Sequence, residues 1–217
     1  MTGFRPFGLY GSNSTGKLAN EMHGQVLSGY HICGLAFETS MRVASPDRNC
    51  GEEIVGYAED AGASAIISFG MSSTVLGLRV EGMCSNWVDC DKYCDPQENC
   101  QPITAHRPAR ETLAIDLVPW NVPRVYEELK RRQIPCEFEV SQNAGGFCCN
   151  ALMYLTLCAM ERRKKRLPFL FGHVPCSPQA VRGIPLEQFD SGKKVLIKEG
   201  MLKEMLEVIL QNFTQAG

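Results

Sequence analysis

Short apolar runs alternate along this chain with helical stripes, and that alternation leaves few folds open. "HICGLAF" (31–37), "SAIISFG" (64–70) and "PFLFGHV" (168–174) each read as a buried strand, and "CEFEVS" (136–141) reads as an alternating one. Between them lie helical stripes. Leu18, Met22 and Val26 share one face, with Asn13, Ser14 or Thr15 available as N-cap. Residues 51–62 carry Ile54, Tyr57, Ala58 and Ala61 at helical spacing. "NVPRVYEELKRRQI" (121–134) places Asn121 as a cap candidate and Pro123 in the first turn. Residues 149–163 present Leu152, Leu155 and Met160, and the last stripe runs through Leu202, Met205, Leu206, Ile209 and Phe213. Strands that alternate with helices predict an α/β fold, a three-layer α/β/α sandwich with a mostly parallel central sheet. Over 217 residues, with no internal repeat or low-complexity linker, one domain spanning 1–217 is expected.

Composition narrows the function. The net charge of −2 argues against an obligatory nucleic-acid partner, because phosphate binding needs a basic surface. The basic run "ERRKKR" (161–166) reads as the solvated close of a helix. No apolar run approaches the roughly 18 residues of a membrane span. The start, "MTGFRPFG", has no secretory pattern, so a cytoplasmic protein with reduced thiols is expected.

In such sheets, sites gather at the carboxyl ends of strands. Four glycine-bearing segments qualify: "TGFRPFG" (2–8), "FGMSSTV" (69–75), "SQNAGGF" (141–147) and "GHVPCSP" (172–178). The third runs into Cys148 and Cys149 at a helix start, where the helix dipole and free backbone N–H groups favour thiolate. Either cysteine could instead be a small core residue. A cysteine nucleophile needs a base. Of four histidines, His23, His31 and His106 read as surface or satisfied residues, whereas His173 ends an apolar strand. Glu81 stands in a loop whose other charge is Arg79; by itself it reads as a solvated acid.

Taken together, "TGFRPFG" followed by Asn13, "GMSSTVLGLRVEGMCSN", "SQNAGGFCCN" and "FGHVPCSP" resemble, in order, the four motifs of the pyroglutamyl peptidase I family. The family's eleven-residue step from motif glycine to glutamate is kept from Gly70 to Glu81, and its five-residue step from there to Asn86. The resemblance implies an α/β/α sandwich and a cysteine exopeptidase that cleaves after an N-terminal pyroglutamyl residue through a thioacyl-enzyme. It implies Cys149, not Cys148, as nucleophile, His173 as general base and acid, and Glu81 as the group holding the imidazole. It also implies a lactam pocket from Phe4, Phe7, Met71 and Phe147. The partners implied are small peptides with N-terminal pyroglutamate; no cofactor is needed, and the oligomeric state is left open. The family usually places an apolar strand before the first motif, but here only Met1 precedes Thr2, so either the true start lies upstream or the first strand is truncated and leaves a gap in the core. Two other readings stand beside this one. The chain is a catalytically silent relative, or a thiol or zinc module built on Cys84, Cys90, Cys94 and Cys100 in a loop over about 84–100. The wide spacing of those four favours reduced thiols and no metal.

Overall fold

The computed structural model describes residues 1–38, 49–89, 100–184, 195–198 and 200–214. In chain order its first half carries β1 (Thr2–Phe4), α1 (Ser14–Met22), β2 (Val26–Leu27), β3 (Tyr30–His31), β4 (Leu35–Phe37) and α2 (Cys50–Asp60). Then come β5 (Ile66–Met71), β6 (Arg79–Glu81), β7 (Met83–Ser85) and β8 (Thr112–Ala114). A 3-10 turn (Val118–Trp120) leads into α3 (Val122–Arg131), α4 (Cys148–Arg162), β9 (Phe169–Val174) and α5 (Met201–Asn212).

The central sheet has the order β4-β1-β5-β9-β6. β1 is parallel to β4 and β5, and β5 to β9, while the edge strand β6 runs antiparallel to β9. The expected mostly parallel sheet is therefore present. Strand periodicity divides the core in two. Ile66, Phe169 and Phe171 face α2 and α4, packing with Ile54, Val55, Leu152 and Tyr154. Ile67, Phe69, Leu170 and Val80 face the other layer, with Leu18, Val125, Leu129, Met205 and Leu206 from α1, α3 and α5. Trp120, fully buried there, donates its indole N–H to the Phe169 carbonyl at 3.1 Å, satisfying a polar group that burial would otherwise penalise.

β1 is three residues long and meets the six-residue β5 at a single pair, Thr2 with Ser68. Below that pair lies a cavity of about 380 Å³ lined by Met1, Tyr30, Ile54, Ile66, Ile67 and Phe213. Three expectations are corrected. α1 ends at Met22, so Val26 leaves its stripe and lies 58% exposed in β2. Residues 31–37 do not form one strand: His31 belongs to the small β2–β3 hairpin, and only 35–37 join the sheet. Residues 136–141 form no continuous strand. The chain takes five steps from Cys136 to Ser141, while its partner takes three from Leu78 to Glu81, so only the ends bridge. The surplus leaves Phe138 62% exposed, and Lys130 lies over its ring.

Candidate active site

Sheet parity decides what faces α4. On β9, His173 is two residues from Phe171 and so points to the same side. Register then sets Gly70 on one flank of His173 and Arg79 on the other. Glu81 sits opposite Phe171, one diagonal step from His173. His173 Nδ1 donates to Glu81 Oε1 at 2.7 Å, since a carboxylate only accepts. Arg79 Nε donates to the same oxygen at 2.8 Å.

The approach to α4 is built by glycine and asparagine. Gly145 takes φ +84°, which suits glycine, and Asn143 Oδ1 accepts its N–H at 2.9 Å. Gly146 lies so close to Asp89 that a Cβ would fall 2.3 Å from its carbonyl oxygen. Phe147 is extended, and the helix begins at Cys148. Asn150, almost wholly buried, pins that first turn: it accepts from Ser85 N (2.8 Å) and donates to the carbonyls of Ser85 (2.9 Å) and Trp87 (3.0 Å). The N–H groups of Cys148, Cys149 and Asn150 stand outside the i→i−4 ladder, which starts with Ala151 N–H to Phe147 O.

Gly70 reports how close these parts come. A Cβ there would stand 2.8 Å from Cys149 Sγ and 3.3 Å from His173 Cδ2, the ring atom next to Nε2. The structure thus brings Cys149, His173 and Glu81 together over one glycine, at 8%, 5% and 0% exposure. In that dry setting the charges decide protonation. The Cys149 thiol is brought down to about 5, by the hydrogen bond from the Cys148 thiol and, against burial, by the imidazolium of His173. Cys148, which gives that hydrogen bond and is itself buried, is pushed well above the usual thiol range. Burial opposes protonation of His173, but the Cys149 thiolate and the bonds to Cys149 and Glu81 outweigh it and raise it to about 9. Burial would likewise raise Glu81, yet the bond to His173, its charge, the Ser141 hydroxyl and the nearby Arg79 hold it below the usual carboxylate range. At neutral pH the arrangement is a thiolate–imidazolium pair backed by a carboxylate.

Beside it lies an apolar rim. Met71, Cys176 and Ala180 pack with Phe7 and Tyr10. The Phe7 ring stands 5.0 Å from Tyr10 and 6.3 Å from Phe147. Phe7, Met71 and Phe147 therefore meet at one edge, while Phe4 lies deeper, in the core cluster that also holds Cys149. Asn13 caps α1 and steadies the first loop, accepting from Thr15 N–H at 3.1 Å and donating to the Arg5 carbonyl at 3.4 Å.

Of the cysteine-rich stretch, Cys84 is buried, its thiol directed at the Leu113 carbonyl (3.6 Å), and Cys100 is exposed. Cys90 and Cys94 lie outside the described residues. Among the described residues no three metal-ligating side chains cluster. No described helix is long and apolar enough to cross a membrane. Sequence reading passed over the parts played by Asn150, Tyr10 and Arg79. Arg79 did leave a signal: it stands two residues before Glu81, the spacing that puts two side chains on one face of a strand.

A family model described as pyroglutamyl peptidase matches residues 1–197. Pyrrolidone-carboxylate peptidases from two Bacillus cereus strains are 27% identical over 188 residues and 28% over 185, each alignment covering 85% of this chain and 81% of the relative. A mutant pyrrolidone carboxyl peptidase from Pyrococcus furiosus superposes with a TM-score of 0.76 at 20% identity, covering 98% of this chain and 95% of that one. The pyrrolidone carboxyl peptidase from Thermococcus litoralis gives 0.71 at 23%, covering 97% and 89%. At that identity the solved structures speak for the fold.

Proposed function

The chain belongs to the pyroglutamyl peptidase family, and from that premise we propose that it removes N-terminal pyroglutamyl residues from small peptides by a cysteine mechanism centred on Cys149. The observation that carries this reading is the convergence of Cys149 Sγ and the His173 ring on Gly70, with Glu81 behind the imidazole.

Cys149 thiolate attacks the pyroglutamyl carbonyl. The negative charge forming on its oxygen is met by N–H groups of the first turn of α4, a donor of this kind being worth about 3–4 kcal/mol in measured systems. His173 gives its Nε2 proton to the departing amine as the C–N bond breaks, leaving a thioester. The neutral imidazole then takes a proton from water, whose oxygen attacks the thioester. Pyroglutamate leaves and the thiolate–imidazolium pair is restored. Glu81 holds the Nδ1 proton and stabilises the imidazolium throughout. A pyroglutamyl ring is flat, uncharged and carries one N–H and one C=O. Phe7, Phe147 and Met71 offer apolar walls for it, with Phe4 packed beneath. The silent alternative has nothing in this site to favour it. The shared central sheet supports reading 1–217 as one domain, and the free thiols suit a cytoplasmic location.

The test is hydrolysis of a pyroglutamyl amide with a fluorescent leaving group, against the matching prolyl amide, which lacks the lactam carbonyl. Turnover of the first and at least about 10²-fold slower turnover of the second is expected; equal rates would count against the reading. The kcat/KM profile should be a bell. Activity rises as pH passes about 5, where the thiolate forms, and falls as pH passes about 9, where the imidazolium loses its proton. Both limbs belong to the coupled pair.

Gly70→Ala should cost about 10²-fold in kcat/KM. Its methyl would press on Cys149 Sγ and on Phe171 Cζ at 2.9 Å, and the nucleophile must move. A folded Gly70→Ala variant at wild-type rate would show that the sulfur does not work from this position.

A further inference from the structure

Arg79 leaves the same face of β6 as Glu81 and stands directly opposite His173. Its Nε and His173 Nδ1 both donate to Glu81 Oε1, at 2.8 and 2.7 Å. The second carboxylate oxygen, Oε2, is buried and has no hydrogen-bond partner among the described residues. Two donors thus hold one oxygen and fix which way the carboxylate faces. Glu81 has no solvent exposure, and a buried carboxylate needs an opposite charge beside it. His173 supplies one only while it is protonated. A guanidinium supplies one at every pH at which the enzyme is expected to work.

Resting on the function proposed above, we propose that Arg79 is a positioning residue of this site, which orients Glu81 toward His173 and supplies a permanent counter-charge that moves the pH window of the Cys149–His173 pair to lower pH.

The polar and titratable groups facing this centre come from five directions. β6 gives Arg79 and Glu81, β9 gives His173, and α4 gives Cys149 and Cys148. From α3, Tyr126 accepts the Val80 N–H at 3.1 Å on the opposite side of the strand. From the 136–141 segment, Glu137 turns its carboxylate to the Leu76 N–H at 2.9 Å, while the Ser141 hydroxyl, bonded to the Asn143 carbonyl at 3.1 Å, also lies near enough to Glu81 to favour its ionised form. Among these groups Arg79 alone brings a permanent positive charge. Removing it makes the surroundings more negative and favours the protonated form of both partners. Both limbs of the bell then move to higher pH. A salt-exposed guanidinium is screened, and the Arg79 side chain is 24% exposed, so the shift is about half a unit to one unit.

The experiment measures alkylation of Cys149 by iodoacetamide as a function of pH, read by mass spectrometry of the Cys149 peptide, alongside the kcat/KM profile. Arg79→Gln should move the alkylation midpoint and both kinetic limbs upward. Arg79→Lys should keep the wild-type midpoints, because the charge stays, while kcat falls severalfold, because the Nε contact is lost. Should Arg79→Gln fail to fold, Arg79→Lys carries the test, and an upward shift in it overturns the proposal. Unmoved midpoints in folded Arg79→Gln overturn it equally, whatever happens to the rate. Alkylation needs no substrate, so a wild-type protein inactive on pyroglutamyl amides would refute the proposed function without deciding the role of Arg79.

Discussion

Cys149→Ser is expected to lower kcat on a pyroglutamyl amide by about 10⁴-fold or more, while Cys148→Ser keeps activity within about tenfold of wild type. The two residues are adjacent, but the helix start gives them different surroundings. Cys149 Sγ reaches the point over Gly70 that the His173 ring also reaches. Cys148 packs into the core with Ile54, Val55 and Leu152, and the hydrogen bond it gives Cys149, together with burial, keeps it protonated. A serine at 149 has no comparable anion at neutral pH, so the ion pair with His173 is lost along with the nucleophile. A serine at 148 still carries a hydroxyl, which can donate to Cys149 as the thiol does. Steady-state kinetics of both variants check this. Comparable losses in both would show that the two thiols act as a unit and that the assignment to Cys149 is wrong.

Glu81→Gln should reduce kcat by about 10³–10⁴-fold with the fold retained. The side chain keeps its size, and its amide oxygen can still accept from His173 Nδ1. What goes is the charge. Glu81 helps hold His173 up at about 9, so neutralising it lowers the imidazole and draws the basic limb of the bell toward neutral pH. It also leaves the Arg79 guanidinium beside a buried amide in place of a carboxylate. The pH profile separates this from simple misfolding, since an unfolded fraction lowers the rate at every pH and does not move the limb. A Glu81→Gln variant with wild-type kcat would remove the carboxylate from the mechanism.

Much of this architecture is legible in the residues. Amphipathic stripes mark α1, α2, α3 and α5, because each buries one face in one of the two cores, and largely apolar runs mark β5 and β9, because those strands bury a face in each. Shorter pieces escape. β6 is three residues with charges at both ends, and only its pairing with β9 makes it a strand. Residues 136–141 alternate as a strand should, yet two surplus residues push Phe138 out of register, and no local pattern reveals a mismatch with a segment over fifty residues away. The candidate site divides likewise. The family motifs pointed to Cys149, His173 and Glu81, but Arg79 and Asn150 matter through contacts that exist only after β6, β9 and the turn before α4 have come together.

The most direct measurement of the central claim is the mass of the protein quenched in acid during turnover of a pyroglutamyl amide. A pyroglutamyl thioester mapped to the peptide containing Cys149, and missing in Cys149→Ser, is the result this account requires. An adduct on Cys148 or any other residue, or sustained turnover by Cys149→Ser, would contradict it.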